Sequence, residues 1–385
     1  MSKKFPDGFL WGASTASYQV EGGIENNDWA QAAREGQVPP AGIACDHYNR
    51  YEEDFDIAQS LHLSSQRIAI EWARIEPEEG VFDEKELQHY KKVVQAIRAR
   101  GMEPFVTLWH FTLPLWFVKK GGFTHREAPE TFARYCARVV EHLGEDVTFY
   151  STMNEPMVWI GNGHVSGIWP PFKKNILNFF TLPNRLILAH KNAYKIIKNN
   201  FSHTKIGVTK NNIVFQEFGF HKVFKIDVLL EWFWDGRFHS AIKNHQDFIG
   251  INHYFRVVLG STHSKKECPR SDFGWELNPR TLYAALMELK KYNVPVYVME
   301  HGLADRNDTH RAWFITESLQ GVHQAIQEGV DVRGYSHWSL LDNYEWAEGF
   351  TMRFGLTAID YEHNQKRTLR ESAKVYAKIC KENAL

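Results

Sequence analysis

Cysteine is scarce in this chain of 385 residues. Its four cysteines, Cys45, Cys136, Cys268 and Cys380, lie far apart, and no C-x-x-C pair occurs. Zinc knuckles, redox pairs and a disulfide framework are therefore not indicated. We expect reduced thiols that behave as small apolar side chains.

Long apolar runs and an excess of one charge are also missing. No stretch approaches the ~20 apolar residues of a membrane helix. Pro6 and Gly8 interrupt the apolar segment at the start of the chain, so this segment does not have the pattern of a signal peptide. Lys+Arg number 45 and Asp+Glu 46, a net charge of -1, which argues against a nucleic-acid-binding surface. The sequence thus predicts a cytoplasmic protein with neither a membrane nor a nucleic-acid partner.

Several signatures of catalysis are absent as well. No H-x-H or H-E-x-x-H pattern occurs among the 19 histidines, so no metal site is predicted. No G-x-S-x-G nucleophile elbow is present. No Ser/Gly-rich linker divides the chain, which favours one domain over residues 1–385.

Aromatic residues, in contrast, are plentiful. The chain contains 13 Trp, 15 Tyr and 26 Phe, or 14% of all residues. Such a surplus can fill a core, or it can form platforms for flat, weakly polar ligands.

Short apolar runs alternate with amphipathic segments along the whole chain. Helices with one apolar stripe are predicted over Asp83–Arg100, Ala128–Leu143 and Trp313–Glu328. Eight strands are predicted over Phe9–Ala13, Ser65–Glu71, Pro104–Trp109, Thr148–Asn154, Lys205–Lys210, Asp247–Tyr254, Pro295–Glu300 and Val332–Trp338. This alternation favours an α/β fold, a single (β/α)8 TIM barrel. A doubly wound open sheet is the alternative, although no phosphate-binding G-x-G-x-x-G follows a strand.

Two carboxylates stand where barrel chemistry is expected, at the carboxyl ends of strands. Glu155 follows the fourth predicted strand and Glu300 ends the seventh, which faces it across a barrel of eight. Such a pair can divide the work of nucleophile and acid/base, because burial and repulsion raise the pKa of one member. The structural alternative is a salt bridge made by each Glu at the rim.

Five motifs then give a resemblance to the family 1 glycoside hydrolases, the retaining β-glucosidase and β-galactosidase type. They run from residue 9 to residue 356 in the family's order and cover nearly the whole chain. They are Phe9–Gly22, Thr152–Pro156 (TMNEP), Val298–Gly302 (VMEHG), Trp338–Trp346 (WSLLDNYEW) and Arg353–Leu356.

The resemblance implies a role for each matching position and no cofactor. Glu300 is expected to be the nucleophile and Glu155 the acid/base. The supporting catalytic residues are Arg67, Asn154 and Tyr254, and the sugar-binding residues are Gln19, His110, Asn252, Trp338, Glu345, Trp346 and Phe354. Trp338 is expected to be the stacking floor, while Trp109, Trp159 and Trp169 are further candidates for the pocket wall.

The implied reaction is hydrolysis of terminal, non-phosphorylated β-D-glucosides by double displacement in an exo manner, with a small β-glycoside or short oligosaccharide as partner. β-Galactosides or β-fucosides can share these contacts, and an acidic Glu345 is expected to repel a phosphorylated sugar. A catalytically weakened carbohydrate-binding barrel and a transglycosylase are the alternatives.

The chain departs from the family pattern beside the nucleophile. Met299 and His301 replace the usual Thr and Asn, and strand alternation predicts that both point away from the face of Glu300. The chain is also shorter than typical members, mainly between Glu155 and Asn252 and between Tyr254 and Glu300, which predicts a more open leaving-group side.

Overall fold

Eight parallel strands close into a barrel in the computed structural model, which describes residues 3–217, 226–259 and 268–385. The order around the barrel is β1-β10-β9-β7-β5-β4-β3-β2, so the first strand pairs with both the last and the second. The strands are β1 Leu10–Ser14, β2 Ser65–Ala69, β3 Glu103–Thr107, β4 Phe149–Asn154, β5 Lys205–Asn211, β7 Phe248–Asn252, β9 Val296–His301 and β10 Val332–Trp338. The predicted barrel is confirmed, and the predicted strand ends differ from these by at most two residues.

Two small sheets lie outside the barrel. One is a parallel pair of β6 Val214–Glu217 with β8 Arg256–Leu259, and the other is the antiparallel pair β11 Thr357–Asp360 and β12 Lys366–Leu369.

Helices surround the barrel and fill its loops. They are α1 Ser17–Val20, α2 Asp28–Arg34, α3 His47–Ser60, α4 Trp72–Ile75, α5 Glu84–Ala99, α6 Leu115–Lys119, α7 Ala128–Leu143, α8 Pro156–Ile160, α9 Leu177–Asn200, α10 Ile226–Glu231, α11 Arg237–Ile242, α12 Thr281–Leu289, α13 Arg311–Gln327 and α14 Glu371–Glu382. None of the helices in these ranges is long and apolar enough to cross a membrane.

The long helices follow the predicted patterns. Helix α5 begins after Asp83, whose side chain accepts hydrogen bonds from the backbone N–H of Lys85 and Glu86 at 2.8 and 3.3 Å. Helix α7 ends at Gly144, where φ is +61° and a side chain would be strained. Both helices bury one apolar stripe against the barrel, as their spacing of three and four residues predicts.

The amino-terminal half of the barrel is filled by aromatic and apolar side chains. Phe105, Phe149, Phe248, Tyr297 and Met299 pack together there, with Leu10 against them. The rings of Phe105 and Phe149 stack with centroids 4.5 Å apart. This floor layer leaves only the carboxyl ends of the strands open to a ligand.

Candidate active site

Glu300 lies near the end of β9 and is held by two donors. Arg67, on β2, donates from Nη1 to Oε1 of Glu300 in an ion pair. The Tyr254 hydroxyl donates to Oε2 at 2.6 Å. Both carboxylate oxygens of Glu300 therefore accept charge-assisted or short hydrogen bonds, which fix the position of the side chain.

Glu155 stands directly after β4 and has weaker support. It adopts φ +43° between the strand and Pro156, the first residue of α8. Its Oε1 accepts from Nδ2 of Asn252 at 2.7 Å and of Asn211 at 3.3 Å. Burial and then the charge of Glu300 raise the pKa of Glu155 to about 8, so this carboxyl keeps its proton at neutral pH.

A chain of hydrogen bonds connects the two carboxyl groups. Arg67 Nη2 donates to Oδ1 of Asn154 at 2.7 Å, and Asn252 Nδ2 reaches the same oxygen at 3.2 Å. Asn154 Nδ2 lies 3.3 Å from Nε2 of His110. The expected acid/base, nucleophile and supporting residues therefore belong to one network.

A cavity of about 390 Å³ opens above this network. Of the predicted site residues, ten line it: Gln19, His110, Asn154, Glu155, Tyr254, Glu300, Trp338, Glu345, Trp346 and Phe354. Arg67 and Asn252 lie beneath, bonded to the lining residues. The structure thus brings all twelve predicted residues together.

Gln19 and Glu345 form the polar edge of the cavity. Gln19 Nε2 donates to the backbone oxygen of Tyr344 at 2.8 Å and approaches Glu345 Oε2 at 3.4 Å. Burial, then the charges of Glu300 and Glu155, raise the pKa of Glu345 to about 8. This raised pKa favours the uncharged form at neutral pH and weakens the predicted repulsion between Glu345 and a phosphate.

Aromatic rings form another part of the boundary. The ring of His110 lies parallel to those of Trp338 and Trp346, with centroids 6.1 and 5.9 Å away. Trp169 lines the cavity beside Trp346, as predicted.

Trp109 and Trp159, by contrast, do not line this cavity, contrary to the prediction. Their rings meet at 5.4 Å and both pack against Phe123 in the buried core. The strand-end position of Trp109 was misleading because its side chain faces the helices.

The side chains of the two residues next to Glu300 in the sequence point in different directions. His301 points away from the cavity, as predicted, and bonds to the backbone oxygen of His253 and to Ser318 Oγ. Burial lowers the pKa of His301 to about 3, so it is neutral and adds no charge beside the nucleophile.

Met299 contradicts the predicted alternation. It packs inside the barrel in the floor layer beneath Glu300. An irregularity in the β9 register opposite Ile251 and Asn252 allows two successive side chains to face inward.

Several residues of the cavity wall are not predicted from the sequence, and two of them, Asn211 and Trp234, are connected to the acid/base residue directly or through one neighbour. Asn211 contacts Glu155, and Trp234 lines the cavity from a π-helical turn over Trp232–Gly236. Asn211 follows an apolar strand and could have been found by the strand-end rule applied elsewhere. No comparable pattern marks Trp234.

Binding of an anion or a metal ion in the cavity would need basic or metal-ligating side chains. Among the described residues, the lining of this cavity includes no Lys or Arg. Within the same described ranges, no group of three or more His, Cys, Asp or Glu side chains has a geometry that could hold a metal ion.

Comparison with known proteins places this arrangement in a family. The model of "Glycosyl hydrolase family 1" matches residues 1–219 and 235–385. Beta-glucosidase A of Thermotoga maritima is 32% identical over 442 aligned positions, which cover 100% of this chain and 99% of that protein. A beta-galactosidase of Sulfolobus acidocaldarius is 30% identical over 475 positions, covering 99% of this chain and 96% of the relative.

The solved structures agree in fold. A beta-glycosidase from Pyrococcus horikoshii superposes with a TM-score of 0.93 at 34% identity, covering 100% of this chain and 96% of that one. Alignments of 442 and 475 positions for 385 residues mean that these relatives carry segments which this chain lacks.

Proposed function

This chain belongs to glycosyl hydrolase family 1 and is a β-glucosidase-type hydrolase, and from that premise we propose that it removes terminal, non-phosphorylated β-D-glucosyl residues with retention of configuration. One observation carries the proposal: Arg67 and Tyr254 both donate hydrogen bonds to Glu300, while burial and the charge of Glu300 raise the pKa of Glu155 to about 8. Two carboxyl groups in opposite protonation states are what double displacement needs.

The first step forms a glycosyl-enzyme. An oxygen of Glu300 attacks the anomeric carbon while the bond to the leaving oxygen breaks, and Glu155 gives its proton to that oxygen. In the second step the Glu155 carboxylate takes a proton from water, the water oxygen attacks the anomeric carbon, and the ester bond to Glu300 breaks. Two inversions give net retention.

Exo action is supported by the depth of the site, since Glu300 is only 3% exposed beneath the cavity. The aromatic layer around Phe105 and Tyr297 blocks any passage through the barrel. The end of a saccharide enters such a depth more easily than its middle, so terminal residues are the substrates of this proposal.

A neutral sugar is supported by the charges of the pocket. Its described lining offers no Lys or Arg to pair with a phosphate, and desolvating an unpaired phosphate is costly. Glu345 and Gln19 instead offer both donor and acceptor atoms for hydroxyl groups. β-Galactosides and β-fucosides remain in the proposal beside β-glucosides, since relatives named for both glucosides and galactosides match the chain.

Proton NMR of phenyl β-D-glucoside hydrolysis tests this proposal. We expect β-glucose to accumulate first and α-glucose only by later mutarotation. Initial α-glucose contradicts a retaining reaction, and a new glycoside in place of glucose indicates transglycosylation.

Glu300→Gln tests the nucleophile in the same assay. We expect the rate to fall by more than about 10³-fold, while Glu382→Gln, an exposed glutamate on α14, is unchanged. An unchanged rate in Glu300→Gln contradicts the assignment, and binding of glucoside without turnover by the unmodified protein indicates a binding barrel.

A further inference from the structure

Trp234 lies beside the acid/base residue although it comes from a distant part of the chain. Its indole Nε1 donates to the backbone oxygen of Asn211 at 3.0 Å. The Asn211 side chain donates in turn to Glu155 at 3.3 Å. A single residue at the end of β5 thus joins the tryptophan to the group that protonates the leaving oxygen.

A buried ion pair fixes the backbone of this tryptophan. Lys210, the neighbour of Asn211 on β5, donates from Nζ to the backbone oxygen of Trp234 at 2.9 Å and to Asp235 Oδ1 at 2.8 Å. The side chains of Lys210 and Asp235 are only 1% and 7% exposed. Breaking a buried ion pair leaves an uncompensated charge and costs free energy. The Lys210–Asp235 pair therefore fixes the turn that places Trp234 at the cavity.

The surroundings of Trp234 in the cavity combine apolar side chains with the amides of Asn162 and Asn211. Val158, one turn after Glu155 on α8, and Ile213 line the same cavity. The ring also lies close to Gly161, the residue after α8. A Cβ atom added to Gly161 would lie 3.7 Å from Cη2 of Trp234. The apolar side chains offer carbon surface and no free hydrogen-bonding group, since the indole N–H is already used.

We propose that Trp234 is a specificity-determining residue for the leaving group, and that it favours an apolar alkyl or aryl group over a second sugar. A second sugar would need partners for its hydroxyl groups, and burying them unpaired costs free energy. An alkyl or aryl group needs only apolar contact. The inference rests on the proposed β-glucosidase activity and names the leaving groups of that same site.

A series of methyl, propyl, butyl and hexyl β-D-glucosides tests the inference. The leaving alcohols have nearly the same acidity, so differences in kcat/KM report contact with the chain. We expect kcat/KM to rise roughly two- to fourfold per added methylene in the unmodified enzyme, and hexyl glucoside to be a better substrate than cellobiose. In Trp234→Ala the rise per methylene is expected to flatten, and Trp234→Phe is expected to restore part of it.

Trp232→Ala is the matched control. This tryptophan belongs to the same turn, is 49% exposed and does not line the cavity. We expect it to retain both the activity and the dependence on chain length. Circular dichroism and the melting temperature of each variant establish that it is folded.

The outcomes separate this inference from the proposed function. Equal slopes in Trp234→Ala and the unmodified enzyme, a flat series, or a preference for cellobiose overturn the role of Trp234 while the β-glucosidase activity stands. Absence of turnover for every glucoside overturns the proposed function, and the inference falls with it.

Discussion

Two glutamates with the same side chain acquire different chemistry from their partners. Glu300 receives a guanidinium and a phenol, whereas Glu155 receives only amide donors and lies next to the charge of Glu300. Burial and the charge of Glu300 raise the pKa of Glu155, so this member of the pair keeps its proton at neutral pH.

This assignment predicts a pH dependence at the residue scale. Glu155 must hold its proton in the first step, so kcat/KM for methyl β-glucoside is expected to be maintained below pH 8 and to fall as pH rises through its pKa of about 8. Asn211→Ala removes a donor that favours the ionised form, and the descending limb should move to higher pH. The pH profile of kcat/KM measures the shift.

Asn200→Ala, an exposed asparagine on α9, provides the comparison. Its profile should coincide with that of the unmodified enzyme. An unmoved limb in Asn211→Ala would show that another group governs the alkaline side of the profile.

Individual residues were predictable where they follow the strand-end rule. Glu155, Asn154 and His110 each follow a recognisable strand, and the barrel brings such ends together. Trp234 lies on a turn beyond β5 that depends on the buried Lys210–Asp235 pair, a contact between positions with no shared local pattern.

At the scale of elements, the ends of β9 and β10 approach closely. A Cβ added to Gly302 would lie 1.9 Å from the backbone oxygen of Trp338. Glycine therefore lets the strand that carries Glu300 lie against the strand that ends in Trp338.

We expect Gly302→Ala to push these strands apart. The free energy of unfolding should fall by about 1–3 kcal/mol, the usual cost of overpacking, and kcat should fall with it because Glu300 and Trp338 move relative to each other. Thermal melting and initial rates measure both effects.

Gly161→Ala serves as a control for this substitution. Its added Cβ would meet only Trp234, at an ordinary contact distance of 3.7 Å, so stability should be nearly unchanged. Equal stability of both variants would contradict the proposed close approach.

Element positions were the most predictable part of the fold, and irregularities the least. The barrel strands are buried on both faces, so they appear in the sequence as continuous apolar runs. Such runs are recognisable whatever the pairing register of the strand. The inward orientation of Met299 is not predicted, because the sequence shows no sign of the irregularity in the pairing of β9 with β7. Regular alternation of side chains along β9 is therefore expected where the strand departs from it.

At the scale of the whole molecule, both ends of the chain complete one barrel. Strand β1 pairs with β10, and the hydroxyl of Tyr376 on α14 donates to the backbone oxygen of Gly12 at 2.8 Å. These contacts support the prediction that residues 1–385 form a single domain.

A single domain should lose structure and activity together. We expect one thermal transition, with tryptophan fluorescence and residual hydrolysis changing over the same temperature range. An early fluorescence transition that leaves hydrolysis intact would indicate a second folding unit.

The floor layer of aromatic rings also determines the order in which the products leave the active site. Phe105, Phe149, Phe248 and Tyr297 fill the barrel below the cavity, so substrate and products enter and leave on the side where the strands have their carboxyl ends. The sugar sits deepest, so the leaving group must depart before water can arrive, and glucose is last out. The next substrate and the departing glucose therefore compete for the same vacant enzyme.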